Sequence, residues 1–283
     1  MNDSPYLSVT IATHRPEGIL RVESMNLPPI DGVEYVVSWQ NHQHAPLPPS
    51  LGQRTDITVC RFDGSGVSAN RNNALDHARG EVVLIGDDDL IYNKVAMEEV
   101  ARIFQADPSL HYASFRFDGP DNKKYPSESV DINPRPPHFH QTAFEVAFRR
   151  CDATRNLRFC EQFGPGNRRF SAGEDTVLAI TARNMGLRSR FFPVTIAIHP
   201  GLTTGLRPVA DSGVTRSKGA AITLEHPASF LLRLPLAAWR DSRAGRSPFL
   251  RSLYNLFAGA ALIMADRPLW NSIRHPLSNT NDQ

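Results

Sequence analysis

Cysteine is scarce in this chain: 283 residues contain three, Cys60, Cys151 and Cys160. The number is odd and no CxxC spacing occurs, which speaks against a disulfide framework or a cysteine-ligated zinc site and for reduced thiols in a cytoplasmic protein. Long hydrophobic runs are missing too. No unbroken apolar stretch reaches the about 20 residues that span a bilayer, and the polar start from Met1 to Pro5 lacks the pattern of a secretory signal. An excess of charge of one sign is also absent, since the formal net charge is only +2. That balance conceals an asymmetry, with acidic residues concentrated before about Asp175 and arginine dominating the end of the chain. With 41% hydrophobic and 21% charged residues, the composition is that of an ordinary globular protein, and disorder is not expected.

What is present centres on Gly80-Glu81-Val82-Val83-Leu84-Ile85-Gly86-Asp87-Asp88-Asp89-Leu90. Four consecutive aliphatics predict a short strand buried on both faces, as in the middle of a parallel sheet. Three carboxylates follow at its carboxyl end, where open α/β sheets bind ligands. With extended backbone, Asp87 and Asp89 would point to one side and suit a hard divalent cation that takes further oxygens from a diphosphate. The plainer alternative is that the acidic run caps a helix beginning near Tyr92.

Around this stretch strands and helices alternate. Strands are expected at Leu7 to Ala12, Glu34 to Ser38, Ile57 to Phe62, His111 to Phe117, Thr142 to Arg149 and Phe191 to Ile198, and a helix from about Lys94 to Gln105. The rhythm points to an α/β fold with a mainly parallel central sheet and helices on both faces. Thr13, His14 and Arg15 follow the first strand, where they could contact a ligand. The loop after the second holds His42 and His44, a pair more readily solvated than metal-binding. A helix opening at Gly66 would carry Arg71 toward the sheet, where a buried guanidinium needs a phosphate or a carboxylate of the acidic run. Asp118 to His138 is rich in proline and charge and is expected to be a long loop that shapes a specificity pocket. Further on, glycines and a proline keep Phe163 to Gly173 irregular before a helix from Thr176 to Met185, ended by Gly186. Glu174 and Asp175 fall near its N-terminus, where the helix dipole keeps a carboxylate ionised. His199, at a strand end, is either structural or a metal or phosphate ligand.

Four of these stretches together resemble the family 2 glycosyltransferases: Val9-Thr10-Ile11-Ala12-Thr13-His14-Arg15, Gly66-Val67-Ser68-Ala69-Asn70-Arg71-Asn72-Asn73-Ala74-Leu75, Gly86-Asp87-Asp88-Asp89 and Gly173-Glu174-Asp175-Thr176. The resemblance covers about Leu7 to Gly205 and implies a GT-A fold and an inverting transfer from a nucleotide-sugar. It implies that Asp87 and Asp89 form a DxD-type motif holding Mg²⁺ or Mn²⁺ on the donor diphosphate, joined by His199. Asp175 would be the catalytic base, with Glu174 supporting it or the acceptor. Thr13, Arg15, Arg71, Asp87 and Asp88 would lie along the nucleotide. One departure stands out: the family usually presents an acid to the base after the second strand, whereas this chain reads Val37-Ser38-Trp39-Gln40-Asn41. Gln40 or Asn41 could hydrogen-bond several bases, which leaves UDP as the default donor nucleotide.

The chain is read as a catalytic domain over 1–215 and a basic amphipathic tail over 216–283. The run from Leu253 to Ala265 is too short to span a bilayer but suits an interfacial helix, with arginines that would meet anionic lipid. Packing of the tail on the catalytic domain is the alternative. A tail held at the inner face of the plasma membrane would match a glycan or lipid-linked acceptor in bacterial surface polysaccharide synthesis. Nucleic acid is not expected, because no aromatic reading motif accompanies the basic residues. Two rivals are a sugar nucleotidyltransferase, for which Thr13-His14-Arg15-Pro16-Glu17-Gly18 lacks a basic, glycine-rich triphosphate loop, and a non-catalytic scaffold of the same fold.

Overall fold

The computed structural model describes residues 5–120, 123–136, 139–201 and 211–276. Packing divides the chain into two compact units, one drawn from Met1–Asn156 and Leu187–Thr204 and the other from Leu157–Gly186 and Gly205–Gln283. This division does not fall at 215, because the helix that follows Gly173 packs with the C-terminal helices. Residues 121, 122, 137 and 138 of the expected loop, and the end of the family resemblance near Gly205, lie outside the described residues.

The first unit is built on strands β1 (Leu7–His14), β2 (Val33–Gln40), β3 (Ile57–Phe62), β4 (Val82–Asp87), β5 (Ile91–Tyr92), β6 (Tyr112–Asp118), β7 (Val130–Asp131), β8 (Val146–Arg149) and β9 (Ser189–Ile198). Among the described residues they form one sheet in the order β3-β2-β1-β4-β8-β6-β9-β5, with β7 beside β9. The half from β3 to β4 is parallel throughout, as expected. The other half is mixed, since β8 runs antiparallel to both β4 and β6, while β9 is parallel to β6 and antiparallel to β5 and β7.

Alternation along the strands sorts the helices onto the two faces. Leu7, Val9 and Ile11 share a core with Ile19 and Val22 of α1 (Arg15–Ser24) and with Met97, Val100 and Phe104 of α4 (Lys94–Ala106). On the opposite face α3 (Val67–His77) is tied down by polar contacts. Ser38 donates to Asn70 Oδ1 at 2.6 Å, Asn70 Nδ2 donates to the Thr13 carbonyl at 2.9 Å, and Asn73 Nδ2 donates to Ser38 Oγ at 2.7 Å. A short helix α2 (Pro49–Gly52) completes the loop after β2.

The end of the sheet away from the acidic run is locked by Glu34, a buried carboxylate. It accepts from Ser8 Oγ (2.6 Å), the Arg79 backbone N–H (2.7 Å) and Arg79 Nε (2.8 Å). Burial alone would raise its carboxyl, but these donors outweigh that and hold it below the ordinary 4.5. Glu34→Gln is expected to cost about 1–3 kcal/mol, because a buried donor loses its acceptor. The lowered value sets the sign of the pH dependence. The stabilisation is fully present above about pH 4.5, the ordinary carboxyl value, and fades as pH falls through the lower folded value. Urea unfolding of both proteins from pH 3 to 7 should show the stability gap shrinking toward acid; a gap constant with pH would contradict an ionised Glu34.

The second unit contains α5 (Glu174–Asn184), α6 (Ser212–Glu225), α7 (Phe230–Arg243), α8 (Phe249–Ala265) and α9 (Arg267–Arg274). Phe163 and Phe170, stacked at 4.4 Å, share a core with Val177 and Ile180 of α5, Leu224 of α6, Ile263 of α8 and Ile273 of α9. Arg183 of α5 pairs with Glu225 of α6 at 3.0 Å. The alternative of packing is therefore realised in part, on the helix that carries Glu174 and Asp175. Gly219 and Gly259 let α6 and α8 approach until side chains give way to backbone. A Cβ at Gly259 would overlap the Arg216 carbonyl, and one at Gly219 would overlap the Leu256 carbonyl.

Candidate active site

The carboxyl ends of β1, β2 and β4 lie side by side, with Ala12 opposite Asp87 and His14 opposite Gln40 in register. Extended backbone stops at Asp87 and the chain turns through Asp88 and Asp89. The strand alternation that would aim Asp87 and Asp89 to one side is thus broken, and the three carboxylates take three different partners.

Asp87 faces the Arg71 guanidinium at 2.7 Å, and Arg71 is buried on α3 as its spacing predicted. Asp88 accepts from Thr13 Oγ1 at 2.5 Å and from Arg21 through Nη2 at 2.7 Å and Nε at 3.3 Å. This fork holds the Arg21 guanidinium charged. Asp89 is brought to His199 by the pairing of β5 with β9, which sets Ile91 against Ile198. Asp89 Oδ2 lies 3.5 Å from His199 Nε2. Burial raises the Asp89 carboxyl; His199 pulls it back, and Asp87 and Asp88 push it up again.

The orientation of His199 decides what this pair can do. Its Nδ1 lies 2.5 Å from the Gly201 carbonyl and donates to it, which turns Nε2 toward the Asp89 carboxylate, as a proton donor in the charged ring and as a free lone pair in the neutral one. The ring is fixed against Phe144, stacked at 5.5 Å. A lone pair and a carboxylate that face each other are a donor set for a divalent cation, which fits the metal that the family implies. Among the described residues no group of three or more His, Cys, Asp or Glu side chains converges on one point. Asp89 and His199 offer two donor atoms, and Asp87 is engaged by Arg71.

The expected nucleotide residues all reach this edge. Arg15 adopts φ +68°, a left-handed conformation rare for a side-chain-bearing residue, and its carbonyl accepts from the Trp39 indole at 2.8 Å. Gln40 is buried and donates to the Gly64 carbonyl at 2.7 Å, so it anchors the loop before α3. Asn41, also left-handed at φ +50°, is exposed beside it.

Sequence reasoning missed several groups. His42, read as solvated, is buried: its Nδ1 accepts from the His44 N–H and from Arg61 Nη1, both at 3.1 Å, and its Nε2 donates to Asp63 at 3.2 Å. Arg61 lies over the Trp39 ring at 4.8 Å. Arg21 was invisible because nothing in α1 announced that its guanidinium would meet Asp88, 67 residues away. Tyr92 is a further case: Gly86 leaves room for its buried hydroxyl, which burial keeps protonated well past the ordinary range.

In the second unit, Gly173 at φ +83° precedes α5, which begins at Glu174 and so places both acids in its first turn. Asp175 Oδ1 accepts from the Thr176 N–H at 2.6 Å and from its hydroxyl at 3.2 Å.

Residues 41–162, from the end of β2 through α3 and the acidic run, match the family model described as glycosyl transferase family 2. That segment, less than half of the chain, is similar to family 2 glycosyltransferases. A search of curated proteins finds no match to this chain. Among solved structures, that of S. aureus TarS 1-349 superposes with a TM-score of 0.57 at 15% identity, covering 96% of this chain and 91% of that one. Its complex with UDP-GlcNAc gives a TM-score of 0.56 at 14% identity with the same coverage. Another S. aureus TarS structure matches at a TM-score of 0.55 and 18% identity over 77% of this chain, which spans 39% of that protein's length. At such identities the likeness is one of fold, and the fold is that of a GT-A glycosyltransferase with helices at its C-terminus.

Proposed function

We propose that this glycosyltransferase transfers a sugar, with inversion, from a UDP-sugar to a hydroxyl of a lipid-linked glycan in bacterial surface polysaccharide synthesis. The observation that carries the donor half is the convergence at the carboxyl edge of the sheet of Asp89, which lies in the segment that matches the family, and His199, which lies beyond it. The complex of the fold neighbour with UDP-GlcNAc supports a UDP-sugar as donor. Asp89 and His199 would hold Mg²⁺ or Mn²⁺, which when bound neutralises charge on the departing diphosphate. Arg71 holds Asp87 and leaves a cationic side chain beside the donor phosphates, while Thr13 and Arg21 fix Asp88 and the turn that carries Asp89. Arg15, Gln40 and Asn41 shape the base end of the site. Asp175 takes the proton of the attacking hydroxyl as the new glycosidic bond forms, and Glu174 supports it in the same helical turn. The enzyme works at the inner face of the plasma membrane, a placement that the basic C-terminal helices support.

Calorimetric titration with UDP, GDP, CDP and dTDP, each with Mn²⁺ and with chelator, tests this reading. Metal-dependent binding of UDP alone is expected. Asp89→Ala should weaken that binding by about ten-fold or more, the loss typical of a removed ligand or its support, and an unchanged affinity would remove Asp89 from the metal site. Failure of every nucleotide to bind folded protein would favour a non-catalytic scaffold.

A further inference from the structure

The helices α7 and α8 each expose an apolar stripe where solvent should favour polar groups. On α7, Leu232, Leu236 and Trp239 recur at i, i+4 and i+7 and stand exposed, Leu232 at 80%. The opposite stripe of the same helix, Leu234, Ala237 and Ala238, is buried against Leu256 and Ala260 of α8. The α7 helix therefore has one apolar stripe for the protein and a second that stays exposed among the described residues. On α8, Leu250 and Tyr254, 75% and 74% exposed, begin a stripe that continues through Ala261 to Met264. That stripe crosses the helix without a charged residue, which is unusual for a solvated surface.

Charge identifies what covers this face. Among residues 227–265 the basic side chains are Arg233, Arg240, Arg243, Arg246 and Arg251, all exposed. The one acid, Asp241, is buried beneath Lys218 Nζ, which contacts both its oxygens at 2.7 Å. On α7 the arginines flank the apolar stripe, and Arg243 lies over the exposed ring of Trp239 at 5.0 Å. A second copy of this chain would set arginine against arginine in a two-fold interface, which like-charge repulsion opposes. An anionic bilayer offers apolar depth for Leu232, Trp239, Leu250 and Tyr254, with phosphate above for the arginines. No described helix is long and apolar enough to cross a membrane; α8, with 17 residues, measures about 25 Å against a hydrocarbon core of about 30 Å.

We propose that the α7–α8 face docks flat on an anionic lipid surface, with both helices lying in the interface. The proposal deepens the membrane placement given above and rests on it only for the lipid-linked acceptor; the surface itself is independent of the chemistry. Flotation of the full chain with phosphatidylcholine vesicles, with and without phosphatidylglycerol, tests it. Binding is expected only to the phosphatidylglycerol vesicles and should weaken as salt rises. Leu232→Glu with Leu250→Glu should lower partitioning by at least about ten-fold, and Arg240→Ala or Arg243→Ala by about five-fold each. These residues are exposed, so melting temperature and metal-dependent UDP binding should stay as in the parent. Lost docking is then distinguishable from a failed enzyme. Equal binding to neutral vesicles, no binding to either, or full binding by the double variant would overturn the proposal. So would a lipid-free dimer that Leu250→Glu dissociates, which would assign the face to a second copy.

Discussion

Asp175→Asn is expected to lower the transfer rate by about 10²–10⁴, the range for losing a positioned general base, while leaving metal-dependent nucleotide binding nearly intact. The amide keeps the oxygen that accepts from the Thr176 N–H at 2.6 Å, so the start of α5 should hold its shape. What it loses is the capacity to take a proton. Glu174→Gln, one residue earlier in the same turn, should cost less in rate and more in acceptor KM if Glu174 orients the acceptor. The measurement is single-turnover transfer beside calorimetry with the same protein. Transfer at the parental rate would place the base elsewhere, and a parallel loss of nucleotide binding would point to a folding defect.

Gly259→Ala is expected to destabilise the second unit by about 1–3 kcal/mol, the usual cost of forcing an extra group into a filled contact. The added methyl would meet the Arg216 carbonyl, a backbone atom within α6 that no rotamer change can move aside. Relief requires α6 and α8 to separate, which loosens Leu224 and Ile263 in the shared core. Gly219→Ala makes the reciprocal clash with the Leu256 carbonyl and should behave alike. Combined, the two should cost less than their sum, because one separation of the helices relieves both. Thermal melts of the three variants decide the matter. Parental melting by either single variant would mean that the crossing is not close-packed.

Local pattern was enough for much of this molecule. The run Val82 to Ile85 is legible as a central strand because four aliphatics in a row suit burial on both faces. The glycines and proline between Phe163 and Gly173 mark the irregular segment before α5 just as plainly. Arg71 was readable as turning inward because helical spacing puts it on the apolar side of α3, and a buried guanidinium requires an anion. By contrast, strand alternation ends at Asp87, so Asp89 reaches His199 through the pairing of β5 with β9 and not through the pleat of β4. His42 looked solvated because histidine in a polar loop usually is, and only the folded loop brings Arg61 and Asp63 to its ring.

Composition, periodicity and the four motifs by themselves determined the α/β class, the order of most elements and the resemblance to family 2 glycosyltransferases, since each depends on residues near one another in the chain. Tertiary structure alone decided which acid faces which base. Asp87 with Arg71, Asp88 with Arg21 and Asp89 with His199 are pairs separated by 16, 67 and 110 residues. Such partners are chosen by sheet register and helix placement, and these are set by the burial of the whole core rather than by any local signal.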